Sequence, residues 1–313
     1  MVGKLPKKEE LKAGYLVFSK FVFELLEDME VKKENLMIAA ANSQIALELF
    51  LKYLYSAKGK VDEIRKNKAG VLTDDFREFN EILNHFYSRN PRAFGNKKDF
   101  VELMQARNSI VHKGQRSQWD SSLAKIIVKT YFFMHNTAWY QLGELLLEEN
   151  YIPHKVSGSQ VWREGVEEFC DELSELQDFY PLICSRCGCR SVISGELFVL
   201  QENQYEDYIS CLCCLSSINI EHEARLIDCY KCSERSYLLD AFNDQGKQLH
   251  PGKCTDCDTD TWARKCKSCK DFYHPSAVEE FEREGVFCCS EICMDLYEEI
   301  LLYKSNNRSS SFA

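Results

Sequence analysis

A chain of 313 residues with 45% hydrophobic content and a net charge of −10 can bury a substantial core, and its size suits two or three domains. No run of about 18 apolar residues is present to span a membrane, and Met1-Val2-Gly3-Lys4-Leu5-Pro6-Lys7-Lys8 has no apolar signal region. The sixteen cysteines therefore read as reduced thiols of a cytoplasmic protein, not as a secreted disulfide scaffold.

In chain order, apolar periodicity predicts helices near 11–28, 33–57, 74–88, 97–113 and 119–149, an all-α N-terminal half. Leu16, Phe18, Phe21, Phe23 and Leu26 are expected to mark buried faces, and Tyr131-Phe132-Phe133-Met134 to form core or a dimer seam. The run 90–96 is a loop, and 151–159 reads as a linker before an acidic helix that ends near Tyr180. No cysteine precedes Cys170, and the charge divides at the same place: residues 1–155 carry +4 and residues 156–313 carry −14. A four-thiolate zinc site adds about two further negative charges, so the C-terminal half is a poor general nucleic-acid binder.

Within the fourth predicted helix, Arg107-Asn108-Ser109-Ile110-Val111-His112 is followed by Lys113-Gly114, a last turn closed by a glycine C-cap. At about 100° per residue Asn108 and His112 share a face, and Arg107 must converge on it with its long side chain. The carbonyls exposed at a helix end favour a charged histidine, which suits a group that both takes and gives a proton.

The R-N-x-x-x-H run, late in a helical region of about 150 residues, resembles the R-x4-6-H signature of the HEPN ribonucleases. The segment Ala39–Lys52 is similar to that family's small-residue-rich helix, with Glu48 and Lys52 one turn apart as supporting residues before the polar loop Ser56-Ala57-Lys58-Gly59-Lys60. The resemblance spans roughly residues 11–150. It implies an endoribonuclease that needs no catalytic metal, a homodimer formed through the helical domain, and Arg107, Asn108 and His112 as catalytic residues. It also implies a role as a toxin or antiviral defence effector.

The cysteines beyond Cys170 fall into knuckles. Cys184-x2-Cys187 pairs with Cys211-x2-Cys214, Cys229-x2-Cys232 with Cys254-x2-Cys257, and Cys266-x2-Cys269 with Cys289-x3-Cys293. A two-residue gap lets both sulfurs of a tight turn point at one ion, and a tetrahedral ion takes a second knuckle. Two to three structural zinc ions per chain are expected. Strands at 191–200 and 207–210 suit a zinc ribbon, while Phe287-Cys288-Cys289-Ser290-Glu291-Ile292-Cys293 resembles the closure of MYM-type or treble-clef-like fingers and leads into a helix at 294–297. Cys170, Cys189, Cys213 and Cys288 are left over, with Cys288 an alternative to Cys289 and Cys213 a poorly spaced one to Cys211. His222, His250 and His274 read as polar surface residues, His274 also as a substitute ligand.

The expected architecture is a HEPN-like helical domain at 1–155, a linker and acidic helix at 156–180, zinc ribbons at 181–220 and 221–262, a third finger at 263–304 and a disordered tail at 305–313. Three functions follow: a metal-independent endoribonuclease acting on RNA, with a protein trigger or inhibitor at the acidic half; a non-catalytic zinc-dependent protein-binding module dimerised by its helices; and a nucleic-acid-binding zinc-finger protein using Arg186, Arg190, Lys265, Lys267 and Lys270.

Overall fold

The computed structural model of the chain describes residues 5–29, 32, 34–91, 100–101, 103–105, 121–147, 152–176, 181–193, 208–219, 226–254 and 256–309. The helices named in the described regions are α1 (Lys8–Glu27), α2 (Glu34–Ala57), α3 (Phe79–Arg89), α4 (Ser121–Leu142), α5 (His154–Gly158), α6 (Gln160–Leu176) and α7 (Glu291–Ser309). The strands are β1 (Arg65–Lys68), β2 (Val71–Phe76), β3 (Leu182–Ile183), β4 (Arg190–Ile193), β5 (Tyr208–Cys211), β6 (Ser217–Asn219), β7 (Leu226–Ile227), β8 (Tyr237–Leu239), β9 (Leu249–Cys254), β10 (Asp260–Lys265), β11 (Phe272–Tyr273), β12 (Phe281–Arg283) and β13 (Val286–Cys288). Helix dominates the N-terminal half and strand the C-terminal half, as composition and periodicity predict. Two compact units result, Met1–Pro181 with Ser191–Ile218, and Leu182–Arg190 with Asn219–Ala313.

In the first unit, α1 buries Leu11, Tyr15, Ser19, Val22, Phe23 and Leu26, one stripe at three- and four-residue spacing. The expected face is corrected at Phe21, which is 43% exposed, and at Leu16 and Phe18, which are half-buried. Apolar residues surround most of this helix, so periodicity alone does not select the side that α2 covers. The small residues Ala39, Ala40 and Ala46 of α2 are fully buried, and the Tyr15 ring packs 5.6 Å from both Phe50 and Tyr53.

Strands β1 and β2 form a hairpin at the start of the expected 74–88 helix, and α3 begins only at Phe79. Ala69 and Gly70 take φ of 52° and 86°, the left-handed pair that a two-residue hairpin turn requires. Arg65 pins the hairpin, its guanidinium reaching Asp62 at 2.7 Å and Asp74 at 3.1 Å. Weak alternation in Arg65-Lys66-Asn67-Lys68 hides the strand from a periodicity reading.

Residues 100–101 and 103–105 are helical, with Phe100 and Leu103 buried and the Phe100 ring 5.1 Å from Phe133. Arg107, Asn108 and His112 lie outside the described residues. Tyr131, Phe132, Phe133 and Met134 of α4 are core, each at most 1% exposed. Helix α4 stops at Leu142 and does not run to 149, because Gly143 turns left-handed (φ 65°) and the Glu144 N–H reaches back to the Ala138 carbonyl at 3.3 Å. The Glu144 carboxylate then accepts from Lys12 and the Tyr53 hydroxyl, both at 2.7 Å.

Residues expected to form a linker at 151–159 instead hold α5, with Ile152 and Val156 buried, and α6 packs on α4 through Trp162, Val166 and Phe169. Lys129, itself buried, meets Glu172 at 2.5 Å along this seam. The crossing is close enough that a Cβ on Gly165 would lie 2.7 Å from the Lys125 nitrogen and 2.8 Å from Ala124. Strand β4 pairs with β5 (Val192↔Cys211), and the segment after β5 seats on the helices: Ile152 N–H donates to the Cys214 carbonyl at 2.9 Å and Trp162 Nε1 to the Cys213 carbonyl at 2.8 Å.

The second unit centres on a five-stranded sheet ordered β11-β10-β9-β8-β7, beside the β12–β13 hairpin and α7. Its core is small, with Tyr237, Leu239 and Ala263 around the sulfurs of Cys229 and Cys254. The tail expected to be disordered from 305 is helical through Ser309.

Gly165→Ala is expected to lower stability by about 1–3 kcal/mol through overpacking against α4 backbone. A urea midpoint followed by the helical circular-dichroism signal measures it, and an unchanged midpoint would refute the close crossing.

Candidate metal centres

Five C-x2-C knuckles share one backbone turn. The N–H of the first cysteine donates to the carbonyl five residues later: Cys184 to Cys189, Cys211 to Ser216, Cys229 to Glu234, Cys254 to Thr259 and Cys266 to Asp271, at 2.8–3.0 Å. The residue after the second cysteine is left-handed in every case: Gly188, Leu215, Ser233, Asp258 and Lys270, with φ of 55–71°. Only one of the five is glycine. Non-glycine residues resist this region at a cost of about 1 kcal/mol or more, so the turn is imposed by what the two sulfurs hold together. Spacing had revealed the cysteines but not this position.

The turns aim their sulfurs inward. The sulfurs of Cys184, Cys187, Cys211 and Cys214 lie within 4.8 Å of one another, as do those of Cys229, Cys232, Cys254 and Cys257, and those of Cys266, Cys269, Cys289 and Cys293. These are the three sets that spacing pairs. Cys229 to Cys257 and Cys232 to Cys254 are 3.7 Å, Cys289 to Cys293 is 3.7 Å and Cys269 to Cys289 is 3.9 Å. A disulfide requires about 2.05 Å. The edge of a ZnS4 tetrahedron with bonds of about 2.3 Å is about 3.8 Å, so the donor sets fit a four-coordinate thiophilic ion.

Hydrogen bonds reach several of the sulfurs. Arg186 N–H donates to Cys184, Cys214 N–H to Cys211 and Cys257 N–H to Cys254, each at 3.4 Å. The Thr259 hydroxyl, 3.0 Å from Cys257, and its backbone bring that thiol down to about 6. Burial raises the Cys266 thiol, but backbone donors from Cys289, Cys269 and Ser268 outweigh it and bring it to about 6. Burial pushes Cys269 up to about 11 and Cys289 higher still. Crowded thiolates oppose one another's ionisation, and a divalent cation removes that opposition while the outer hydrogen bonds orient the ligands.

The leftover cysteines are packing residues where described. Cys213 is buried, its Sγ donating to the Ser157 carbonyl at 3.4 Å, and Cys170 and Cys288 are buried too, while Cys189 is half-buried. Cys289 stands in the third set, not its neighbour Cys288. His274 is corrected from surface residue and substitute ligand: it is buried, with Nδ1 3.2 Å from the Trp262 carbonyl and Nε2 3.1 Å from the Asp228 carbonyl, so both nitrogens are engaged. His250 is buried as well, against Phe272, and burial lowers its pKa. His222 lies outside the described residues. Of the knuckle cations, Lys265 lies over the Phe272 ring and Lys270 donates to the Lys267 carbonyl. Arg186 and Arg190 are exposed.

The supporting pair proposed on α2 is assembled: Lys52 Nζ meets Glu48 Oε1 at 2.6 Å, and Lys52 also lies 5.0 Å over the Phe76 ring. No helix among the described residues is long and apolar enough to cross a membrane. Comparison of the chain with family models, curated proteins and solved structures returned no match.

Metal analysis of the purified chain is expected to return three zinc ions. Cys289→Ser should remove one, and Cys288→Ser none. Equal loss from both would refute the ligand assignment. Chelation should collapse the second unit's strands while α1–α4 keep their helical signal, since small zinc modules draw folding free energy from the metal.

Proposed function

We propose that the chain is an endoribonuclease of HEPN type that needs no catalytic metal, a toxin or defence effector whose zinc modules serve recognition or regulation. The observation that carries this reading is the Arg107-Asn108-x3-His112 run in a helical half. Phe100, buried with its ring 5.1 Å from Phe133, and Leu103, also buried, are helical residues seven and four positions before the run in sequence. The paired Glu48 and Lys52 on α2 match the second element of the resemblance.

In this reaction the RNA 2′-oxygen bonds to the adjacent phosphorus as the bond to the 5′-oxygen breaks. A 2′,3′-cyclic phosphate and a 5′-hydroxyl result. The 2′-hydroxyl proton leaves to a base and the 5′-oxygen gains one from an acid. His112 is assigned to this proton traffic, Arg107 to charge on the phosphoryl oxygens and Asn108 to orienting them. A homodimer through the helical half brings two copies of the motif to one cleft.

A second reading draws on the −14 charge of residues 156–313, which favours a basic protein partner and needs no catalysis. Cleavage of RNA in the presence of a chelator, with end-group analysis, separates the two. Arg107→Ala and His112→Ala are each expected to lower the rate about 100-fold or more while zinc content and oligomeric state hold. Cleavage undiminished in both variants would remove Arg107 and His112 from catalysis, and absence of cleavage by the unmodified chain would leave the binding-protein reading.

A further inference from the structure

The N-terminal half owes its excess positive charge to one segment. Residues 58–98 hold ten Lys and Arg against six Asp and Glu, and the rest of residues 1–155 is balanced. Where this segment begins, the ends of α2 and α3 meet the end of α4 around a recess of about 290 Å³, lined by Tyr55, Lys58, Lys60, Glu63, Arg89 and Gln141 among others.

The recess is built. Lys58 Nζ donates to Gln141 Oε1 at 2.9 Å, Gln141 Nε2 to Asn90 Oδ1 at 3.1 Å, and Asn90 Nδ2 to the Phe86 carbonyl at 2.8 Å. This relay fixes an ammonium group at the wall using neutral partners alone. Partial loss of hydration, and then the charge of Lys60, lower the pKa of the exposed Lys58 while Glu63 opposes the shift, so the ammonium stands beside a like charge. The one carboxylate in the lining, Glu63, is engaged by His85 at 2.9 Å. Lys58, Lys60 and Arg89 form no ion pair among the described residues. The charge of Glu63 also acts on Lys58, Lys60 and Arg89, but one carboxylate against three cations leaves the recess net positive, which suits an oxyanion: lysines as point charges, arginine as a planar two-pronged donor.

We propose that Lys58, Lys60 and Arg89, with Gln141, form a phosphate-binding pocket that takes a backbone phosphate of a single-stranded RNA. The identity of the strand rests on the ribonuclease reading; the oxyanion chemistry does not. The pocket lies apart in sequence from the Arg107–His112 run and serves to hold the strand, not to cleave it.

The test measures binding of a short 2′-O-methylated oligoribonucleotide, which cannot be cleaved through its 2′-oxygen, by fluorescence anisotropy across a salt series, using the full zinc-loaded chain. Lys58→Ala/Arg89→Ala should weaken binding about tenfold or more. It should also reduce the slope of log affinity against log salt by about 0.7, the share of one single-strand phosphate contact. Lys66→Ala/Lys68→Ala removes the same charge from the β1–β2 hairpin and should do distinctly less. Lys60→Glu, at an exposed position, repeats the test should the pocket double variant fail to fold. Inorganic phosphate is titrated as competitor; displacement of the strand at millimolar concentration supports the shared chemistry. Equal effects of the two double variants, or no strand binding by the unmodified chain, would overturn the proposal. Because the probe is not cut, pocket-dependent binding together with absent cleavage would sink the nuclease reading and leave the pocket standing.

Discussion

Sulfurs about 3.7 Å apart, as in the second and third clusters, gain little from one another as thiols and repel one another as thiolates, so four of them ionise together only around a cation. The second unit is where such a cation would matter most. Its sheet strands run two to six residues and its buried side chains are few, too little apolar area to offset the entropy of ordering some ninety residues. A bound metal would supply what the core lacks and would also favour the local backbone that the cysteines adopt. Leu215, Ser233 and Lys270 sit in left-handed turns where their preceding cysteines converge, not because their side chains favour it.

The helical unit is held by different physics. Its core is aromatic and small-residue packing, with Tyr15, Phe50, Tyr131, Phe132, Phe133 and Trp162 among its fully buried side chains. Its polar groups sit at element ends, where they tie helices together: Glu144 gathers Lys12 and Tyr53 after α4, and the Lys58–Gln141–Asn90 relay joins three helix termini. Rigid helix ends holding fixed polar groups are where a binding surface can form without disturbing the core.

The twelve ligand cysteines were legible because their spacing follows from tetrahedral geometry and survives any fold. The aromatic run of α4 was legible because nothing else buries four such residues. Other features escaped for physical reasons. The face of α1 depends on which side α2 covers, and Val17, Phe21 and Phe18 give no warning of it. The β1–β2 hairpin rests on Arg65's ion pairs and an Ala-Gly turn, not on alternation. Residues 151–159 look like a linker by composition, yet Ile152 and Val156 are anchors. Arg107, Asn108 and His112 were legible as a string alone, since they lie outside the described residues.

The three clusters differ in how deeply their sulfurs sit: all four buried around Cys184, two of four around Cys229, and one of four around Cys266, where Cys269 is exposed. The chain spans between knuckles, Cys187 to Cys211, Cys232 to Cys254 and Cys269 to Cys289, are nearly equal in length. Closure entropy therefore separates them by only about 0.2 kcal/mol. Solvent access, not ring size, sets the order of exchange. With a metal bound, an oxidant or a competing thiol would reach the Cys266 cluster most readily, and α7, whose first turn carries Cys293, would be the helix to feel its loss.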